Sequence, residues 1–371
     1  MTLAERVLAG DPRAMARAIS LIEDEDPASG DLVRAIFSQT GRAYLIGVTG
    51  PPGAGKSTLV DRLVTTIRTQ RTESTQTQSF SASSAPASPK LEDVETSEDG
   101  RSAPAKPMLA GQKPSEGGFP TVGVIAVDPT SPFTGGAVLG DRLRMQSHAA
   151  DEGVFIRSMA TRGHLGGLAR ATADAALVLD AAGKDVVVIE TVGVGQDEVD
   201  IIRTADISIV ALVPGTGDEV QALKTGIMEI ADIFVVNKAD REGADRLVAA
   251  VDANLALHTY QSGEWRPPVV KTVATTGAGV AELVAAIEQF RAHAAGTQLT
   301  RRKTRGEYRL RELVSQRFMD HLERHVLKAG ELAQMVERIA TREIDPYTAA
   351  ADLLGRALHS PIRQFTNSPT S

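Results

Sequence analysis

The 371-residue sequence contains no cysteine. Thiolate zinc sites, iron–sulfur clusters, thiol catalysis and a disulfide-stapled mini-protein are excluded at once, and the chain fits a reducing compartment without requiring one. Long apolar runs are also missing. No stretch approaches the roughly 20 apolar residues that a bilayer demands. The start Met1-Thr-Leu-Ala-Glu-Arg soon becomes acidic at Glu23 to Asp26, which fits neither a secretory signal nor an Arg-rich transit peptide. A soluble cytoplasmic protein is therefore expected. Nor is there an excess of positive charge: 40 Lys and Arg against 47 Asp and Glu leave −7, which argues against a dedicated binder of nucleic acid or anionic membrane. At 42% hydrophobic and 23% charged the composition is that of a globular protein. At roughly 150 residues per domain, the length suggests two or three units.

Patterning divides the chain into three parts. Residues 1–40 read as a small helical segment, with a capping box at Thr2-Leu-Ala-Glu5, an N-cap and first-turn proline at Asp11-Pro12, and Met15, Ile19 and Ile22 at helical spacing behind them. Across 41–297, short β-rich runs alternate with helical ones: Tyr44–Thr49, Thr121–Val127, Asp185–Ile189, Ile207–Val213, Ile233–Val236 and Val269–Val273. Runs of this kind belong to strands covered on both faces by crossover helices, so the expected fold class is α/β, a doubly wound, mostly parallel sheet. Residues 71–118 interrupt the alternation with a Ser-, Thr-, Pro- and Glu-rich insertion, expected to be disordered because it has too little apolar surface to offset its ordering entropy. Residues 298–371 turn helical again. A basic run, Arg301 to Arg311, leads into Leu313, Phe318, Leu322, Val326 and Leu327, and a second helix is expected over about 331–341. The basic residues read as a solvated helix face, since only Tyr308 could stack on a base. The apolar stripe needs a partner surface, either the chain's own globular domain or a second copy.

Gly50-Pro-Pro-Gly53-Ala54-Gly55-Lys56-Ser57 satisfies G-x-x-x-x-G-K-[ST] between a predicted strand and a predicted helix. There the glycines let backbone N–H groups turn in around phosphate oxygens, Lys56 reaches the β and γ phosphates, and the Ser57 hydroxyl can ligate Mg²⁺. Asn237-Lys238-Ala239-Asp240 follows another strand run, at the end where open α/β sheets bind ligands. A carboxylate at Asp240 can accept from N1–H and the exocyclic amine of guanine, whereas adenine offers the wrong edge. The later Thr272-Val-Ala274-Thr275-Thr-Gly277 would offer backbone N–H groups to the same base. Together these point to GTP over ATP.

Asp185-Val-Val-Val-Ile-Glu190-Thr-Val-Gly193 has the form of a strand ending in a metal-directed acid, followed by a glycine whose N–H can reach the γ-phosphate. In Ras-like enzymes a water-positioning Gln comes directly after that glycine. Here Val194 stands there and Gln196 comes two residues later, so slow intrinsic hydrolysis is expected unless a partner completes the site. Asp128 ends a strand run and opens a loop rich in small residues that carries Asp141, Arg142 and Arg144. Asp128 and Asp141 could reach the metal shell, and either arginine could reach phosphate or a partner. Pro214-Gly-Thr-Gly-Asp218-Glu-Val-Gln221-Ala-Leu-Lys224 reads equally as a nucleotide-responsive loop and as a plain connection N-capped by Asp218. His321 and His325, four apart, lack the third ligand a metal site needs.

Taken together, Gly-Val-Thr-Gly-Pro-Pro-Gly-Ala-Gly-Lys-Ser-Thr58, Val-Asp128-Pro-Thr-Ser-Pro-Phe-Thr-Gly-Gly-Ala-Val-Leu-Gly-Asp141-Arg, Glu190-Thr-Val-Gly-Val-Gly-Gln and Asn237-Lys-Ala-Asp240 resemble the MeaB/ArgK family of methylmalonyl-CoA mutase-associated GTPases. The Asp-Pro-Thr-Ser-Pro-Phe loop is the most specific of these. The resemblance implies a P-loop GTPase of the SIMIBI class that takes GTP/GDP and Mg²⁺, and that serves as a chaperone gating cofactor loading and protecting an adenosylcobalamin-dependent acyl-CoA mutase. It further implies a homodimer through the C-terminal helical arm. By motif, Gly50 to Thr58 surround the phosphates, Lys56, Asp141, Glu190 and Gly193 form the catalytic group, and Ser57, Asp128, Asp141 and Glu190 the metal shell. Asn237, Lys238, Asp240, Ala274 and Thr275 face the base, while Arg144, Asp218, Gln221 and Lys224 fall in switch segments that meet the partner. Two other readings are a nickel-inserting metallochaperone, which would need Cys and His to hold metal, and a GTP-binding scaffold with little turnover.

Overall fold

A computed structural model describes residues 1–69, 120–128, 146–148, 150–160, 167–191, 193, 204–215 and 227–359. They form two compact units, Met1–Ala295 and Gly296–Ser371.

The first unit opens with three helices, α1 (Leu3–Leu8), α2 (Pro12–Glu23) and α3 (Ala28–Ile36). Local chemistry sets their starts. Thr2 and Glu5 bond reciprocally as a capping box, and Asp11 accepts from the N–H groups of Arg13 and Ala14 ahead of Pro12. The chain then alternates: β1 (Tyr44–Thr49), α4 (Lys56–Thr69), β2 (Val122–Asp128), β3 (Val154–Ala160), α5 (Gly167–Ala181), β4 (Val186–Glu190), β5 (Ile207–Leu212), a short α6 (Ile227–Ile230), β6 (Ile233–Asn237), α7 (Ala244–Leu255), β7 (Val269–Thr272) and α8 (Val280–Ala294). The strands make one sheet of seven in the order β3-β2-β4-β1-β5-β6-β7, and every pairing is parallel.

Alternate residues of each strand enter different cores, as sheets covered on both faces require. Ile46, Val48, Val188 and Ile209 pack with Leu59, Leu63 and Phe290 of α4 and α8 on one face. Opposite them, Val187 and Ile189 meet Met15, Ile19, Ile36 and Leu179, so the N-terminal helices are part of this unit's interior. Phe234 and Val236 pack with Leu247 and Val251 of α7.

One strand differs from the sequence expectation. The edge strand β3 has no uninterrupted apolar run because Arg157 sits in its middle, donating to Glu23 at 2.5 Å and to Ser20 at 2.9 Å on α2. An ion pair with a neighbouring helix lets a charged residue occupy a half-buried strand position, and the periodicity is lost.

The chain leaves α4 at Thr69 and resumes at Pro120, where Arg68 donates to the Pro120 carbonyl at 2.8 Å. Both points lie at the amino edge of the sheet, away from the strand ends that carry the motifs. The insertion expected over 71–118 lies outside the described residues.

In the second unit, α9 (Gln298–His321) passes through a π-helical turn at Leu322–Val326 and is followed by α10 (Glu331–Ala340) and α11 (Pro346–His359). Arg356 fastens α11 by donating to Glu331 at 2.6 Å and to the Val326 carbonyl at 2.8 Å. Among the described residues, no helix is long and apolar enough to cross a membrane.

Candidate functional site

β1 lies at the centre of the sheet, between β4 and β5, where the winding direction reverses. Ligands in such sheets bind at the carboxyl ends of the strands next to this reversal, and all the motif-bearing loops described converge on that edge.

The loop between β1 and α4 is seated on β5. Gly50 has φ +141°, and a Cβ there would lie 2.0 Å from the Ala211 carbonyl oxygen, so only glycine lets the loop approach this closely. Lys56 is 6% exposed, and its Nζ donates to the Gly50 carbonyl at 2.7 Å and the Pro51 carbonyl at 3.2 Å. Gly193 lies directly over this pair. With φ +99°, it would bring a Cβ within 2.3 Å of the Gly50 oxygen and 2.5 Å of Lys56 Nζ. The structure thus brings together Lys56 and Gly193 from segments 137 residues apart (193 − 56).

Glu190 ends β4 and is buried beside α4, where its Oε1 accepts the Ser57 hydroxyl at 2.6 Å. Next to it, the Thr191 hydroxyl donates to that of Thr49 at 2.9 Å, and the Thr191 N–H bonds the Val48 carbonyl, fixing the end of β4 against β1. A serine hydroxyl and a carboxylate in contact are hard oxygen donors. They suit Mg²⁺, which takes one or two protein oxygens and completes its shell with water and phosphate.

Beside the phosphate loop lie the ends of β6 and β7. Asn237, 1% exposed, donates from Nδ2 to the Ala54 carbonyl at 2.8 Å. Its Oδ1 accepts from the Thr272 hydroxyl at 3.1 Å and the Ala274 N–H at 3.2 Å. This side chain therefore braces the phosphate loop against the loop after β7. Lys238 has φ +56° and donates from Nζ to the Gly53 carbonyl at 2.8 Å, a second tie to the same loop. Asp240 is exposed and, among the described residues, its carboxylate has no hydrogen-bond partner.

Other site residues carry weaker signals or fall outside what is described. Ala54 is buried in the phosphate loop, Thr58 is half-buried on α4, and Thr275 is exposed. Asp128 is the last residue of β2, at the carboxyl edge, in register with Ala160 of β3; its side chain is not described. Asp141, Arg144, Asp218, Gln221 and Lys224, with Val194 and Gln196, lie outside the described residues. Just after the Asp141 loop, Ser147 donates to Asp61 of α4 at 2.7 Å and His148 Nε2 lies 3.2 Å from the same oxygen. The rings of His321 and His325 lie tilted at 47° to each other, with centroids 5.3 Å apart.

Arg62 makes a contact with the loop after β7 that the motifs do not reveal. From α4 its Nε donates to the Ala274 carbonyl at 3.2 Å and its Nη2 to the Thr275 carbonyl at 3.1 Å. A single arginine one and a half turns after a lysine-serine pair has no sequence signature, and only the folded structure shows that it faces the loop after β7.

A model of the MeaB family, described as methylmalonyl Co-A mutase-associated GTPases, matches residues 15–75 and 115–327. A Pyrococcus abyssi protein that bears a GTPase name is 45% identical over 356 residues, covering 95% of each chain. GTPase ArgK of Escherichia coli is 33% identical, covering 78% of this chain and 76% of its own. Among solved structures, one titled as a LAO/AO transport system kinase superposes with a TM-score of 0.63 at 25% identity, covering 95% of both chains. Matched over most of its length and carrying the loops of Gly50–Ser57 and Asn237–Asp240 on one edge of its sheet, the chain belongs to the MeaB family of methylmalonyl Co-A mutase-associated GTPases.

Proposed function

We propose that the chain binds and hydrolyses GTP with Mg²⁺, and through that cycle acts as a chaperone for an adenosylcobalamin-dependent acyl-CoA mutase in the cytoplasm, gating cofactor loading and protecting the enzyme. The observation that carries the nucleotide part is the bridge made by Asn237, which ties the phosphate loop at Ala54 to the loop after β7 and so presents both halves of a nucleotide site as one surface. The family description supports the mutase as partner.

In this reading Lys56 and the glycine-rich loop hold the β and γ phosphates, and Gly193 offers its N–H beside them. Ser57 and Glu190 would hold Mg²⁺, with Asp128 and Asp141 directed to the same shell. The ion supplies charge neutralisation at the transferred phosphoryl group. Asp240 accepts from N1–H and the 2-amino group of guanine. Arg144, Asp218, Gln221 and Lys224 carry the nucleotide state to the mutase. With Val194 after Gly193, no side chain in the Ras-type position orients the attacking water, so the mutase is expected to speed turnover.

The second unit would join two copies. Its α9 exposes Leu310 and Val314, four apart, at 62% and 58%, a pairing that favours burial against another helix.

The test is GTP turnover by the purified chain, alone and with an adenosylcobalamin-dependent acyl-CoA mutase, alongside gel filtration of the mixture. Co-elution and stimulated turnover are expected. Absence of both with every acyl-CoA mutase tried would overturn the chaperone role, and GTP binding without turnover would favour a scaffold.

A further inference from the structure

The loop after β7 has little freedom to offer backbone donors. Ala274 N–H goes to Asn237 Oδ1. Val273 N–H bonds the Ala278 carbonyl, and the N–H groups of Thr276 and Gly277 both bond the Val273 carbonyl. Ala278 N–H faces the Thr276 hydroxyl at 3.4 Å. From Val273 to Ala278, the Thr275 N–H is the only one with no partner among the described residues.

Its direction is fixed from the other side of the peptide. Every peptide bond described is trans, so the Ala274 carbonyl and the Thr275 N–H point oppositely from one plane. Arg62 holds that carbonyl through Nε and the next carbonyl, of Thr275, through Nη2. A planar guanidinium with two donors in a rigid fork can fix two successive carbonyls, which a flexible ammonium cannot do. Both carbonyls flanking Thr275 are thereby turned towards α4, and the Thr275 N–H is turned away from it.

We propose that Arg62 is a positioning residue for base recognition, aiming the Thr275 N–H at the exocyclic oxygen of guanine by holding the carbonyls of Ala274 and Thr275. The proposal rests on the reading of this loop as the base loop. It divides the work of selectivity: Asp240 reads the donor edge of guanine, and Arg62, acting through Thr275, reads its 6-oxygen. Adenine carries an amine at that place, which a backbone donor would oppose.

Affinities for GDP and 6-thio-GDP, in which a weakly accepting sulfur replaces the 6-oxygen, test this on the full chain. The wild type is expected to prefer GDP. In Arg62→Ala that preference should contract by roughly fivefold, the worth of about one hydrogen bond. Arg62→Lys, which can hold only one carbonyl, should fall between the two and serves if the alanine variant folds poorly. Equal losses for both nucleotides, with the preference unchanged, would show a purely structural arginine and overturn the proposal. Asp240→Asn supplies the separate control, because it should move preference from GDP to xanthosine diphosphate whatever Arg62 does. If Asp240→Asn leaves GDP preferred, the base-site reading itself fails; if only the Arg62 variants behave as wild type, the proposal alone fails.

Discussion

At the amino edge of the sheet, Asp180 accepts the N–H groups of Gly41, Arg42 and Ala43 just ahead of β1, whereas at the carboxyl edge Asp240 stands exposed after β6. The pattern at the amino edge repeats. Asp185 takes the N–H and hydroxyl of Thr121 ahead of β2, and Asp206 takes the N–H of Leu45. Asp232 takes the N–H and hydroxyl of Ser208, and Asp151 takes the Gly153 N–H and the Arg68 guanidinium. These carboxylates satisfy donors of the chain itself, as buried polar groups must be satisfied. Across the sheet, Glu190 meets the Ser57 hydroxyl, and Asp240 has no hydrogen-bond partner among the described residues. An acid that precedes a strand completes the fold, while an acid that follows one faces the place where open α/β sheets bind ligands.

This contrast can be broken by substitution. The largest effect is expected for Lys56→Ala, which should weaken GTP binding by about 4 kcal/mol, roughly 1000-fold, while the thermal midpoint moves little; titration calorimetry and a melting curve measure the two. At the opposite edge, Asp180→Ala leaves three backbone donors unmet and should cost about 3 kcal/mol of stability by denaturant unfolding, yet preserve the preference for GDP over ADP in the folded protein. Asn237 is a carboxyl-edge residue that ties Ala54, Thr272 and Ala274 together. Asn237→Ala should cost about 2 kcal/mol of stability and also lower GDP affinity, because the phosphate loop and the base loop lose their brace.

The smallest expected effect is on pH dependence. The Arg68 guanidinium beside Asp151 holds that carboxyl below its ordinary value of 3.8. A lowered carboxylate stabilises the folded state fully above its unfolded value, and the contribution is lost as the pH falls through its folded value. Arg68→Gln should therefore lower the melting temperature near neutral pH, where the contribution is fully present, and leave the acid end little altered, so that the acid side of a plot of melting temperature against pH flattens.

Much of the carboxyl edge was legible because its chemistry is contiguous. Gly50 to Ser57 and Asn237 to Asp240 each carry their meaning within a few residues, and the β-rich runs around them correspond to six of the seven strands. β3 escaped because Arg157, neutralised by Glu23 from α2, interrupts its apolar pattern. Arg62, Asp180 and Asp232 escaped for a related reason: their bonds reach from 24 residues away for Asp232 to 213 for Arg62, and no local pattern encodes such a distance. The sequence placed Asn237 at the base; the structure shows its amide bracing Ala54, Thr272 and Ala274. Spacing identifies which residues gather at a site, but hydrogen-bond accounting is needed to tell those that meet a ligand from those that hold the loops in place.

Titration of the full chain with GDP and with ADP in the presence of Mg²⁺ tests most directly whether the two halves form one guanine-nucleotide site. A base site built to hydrogen-bond guanine should bind GDP and reject ADP by at least about 100-fold. Equal affinity for the two nucleotides would contradict it.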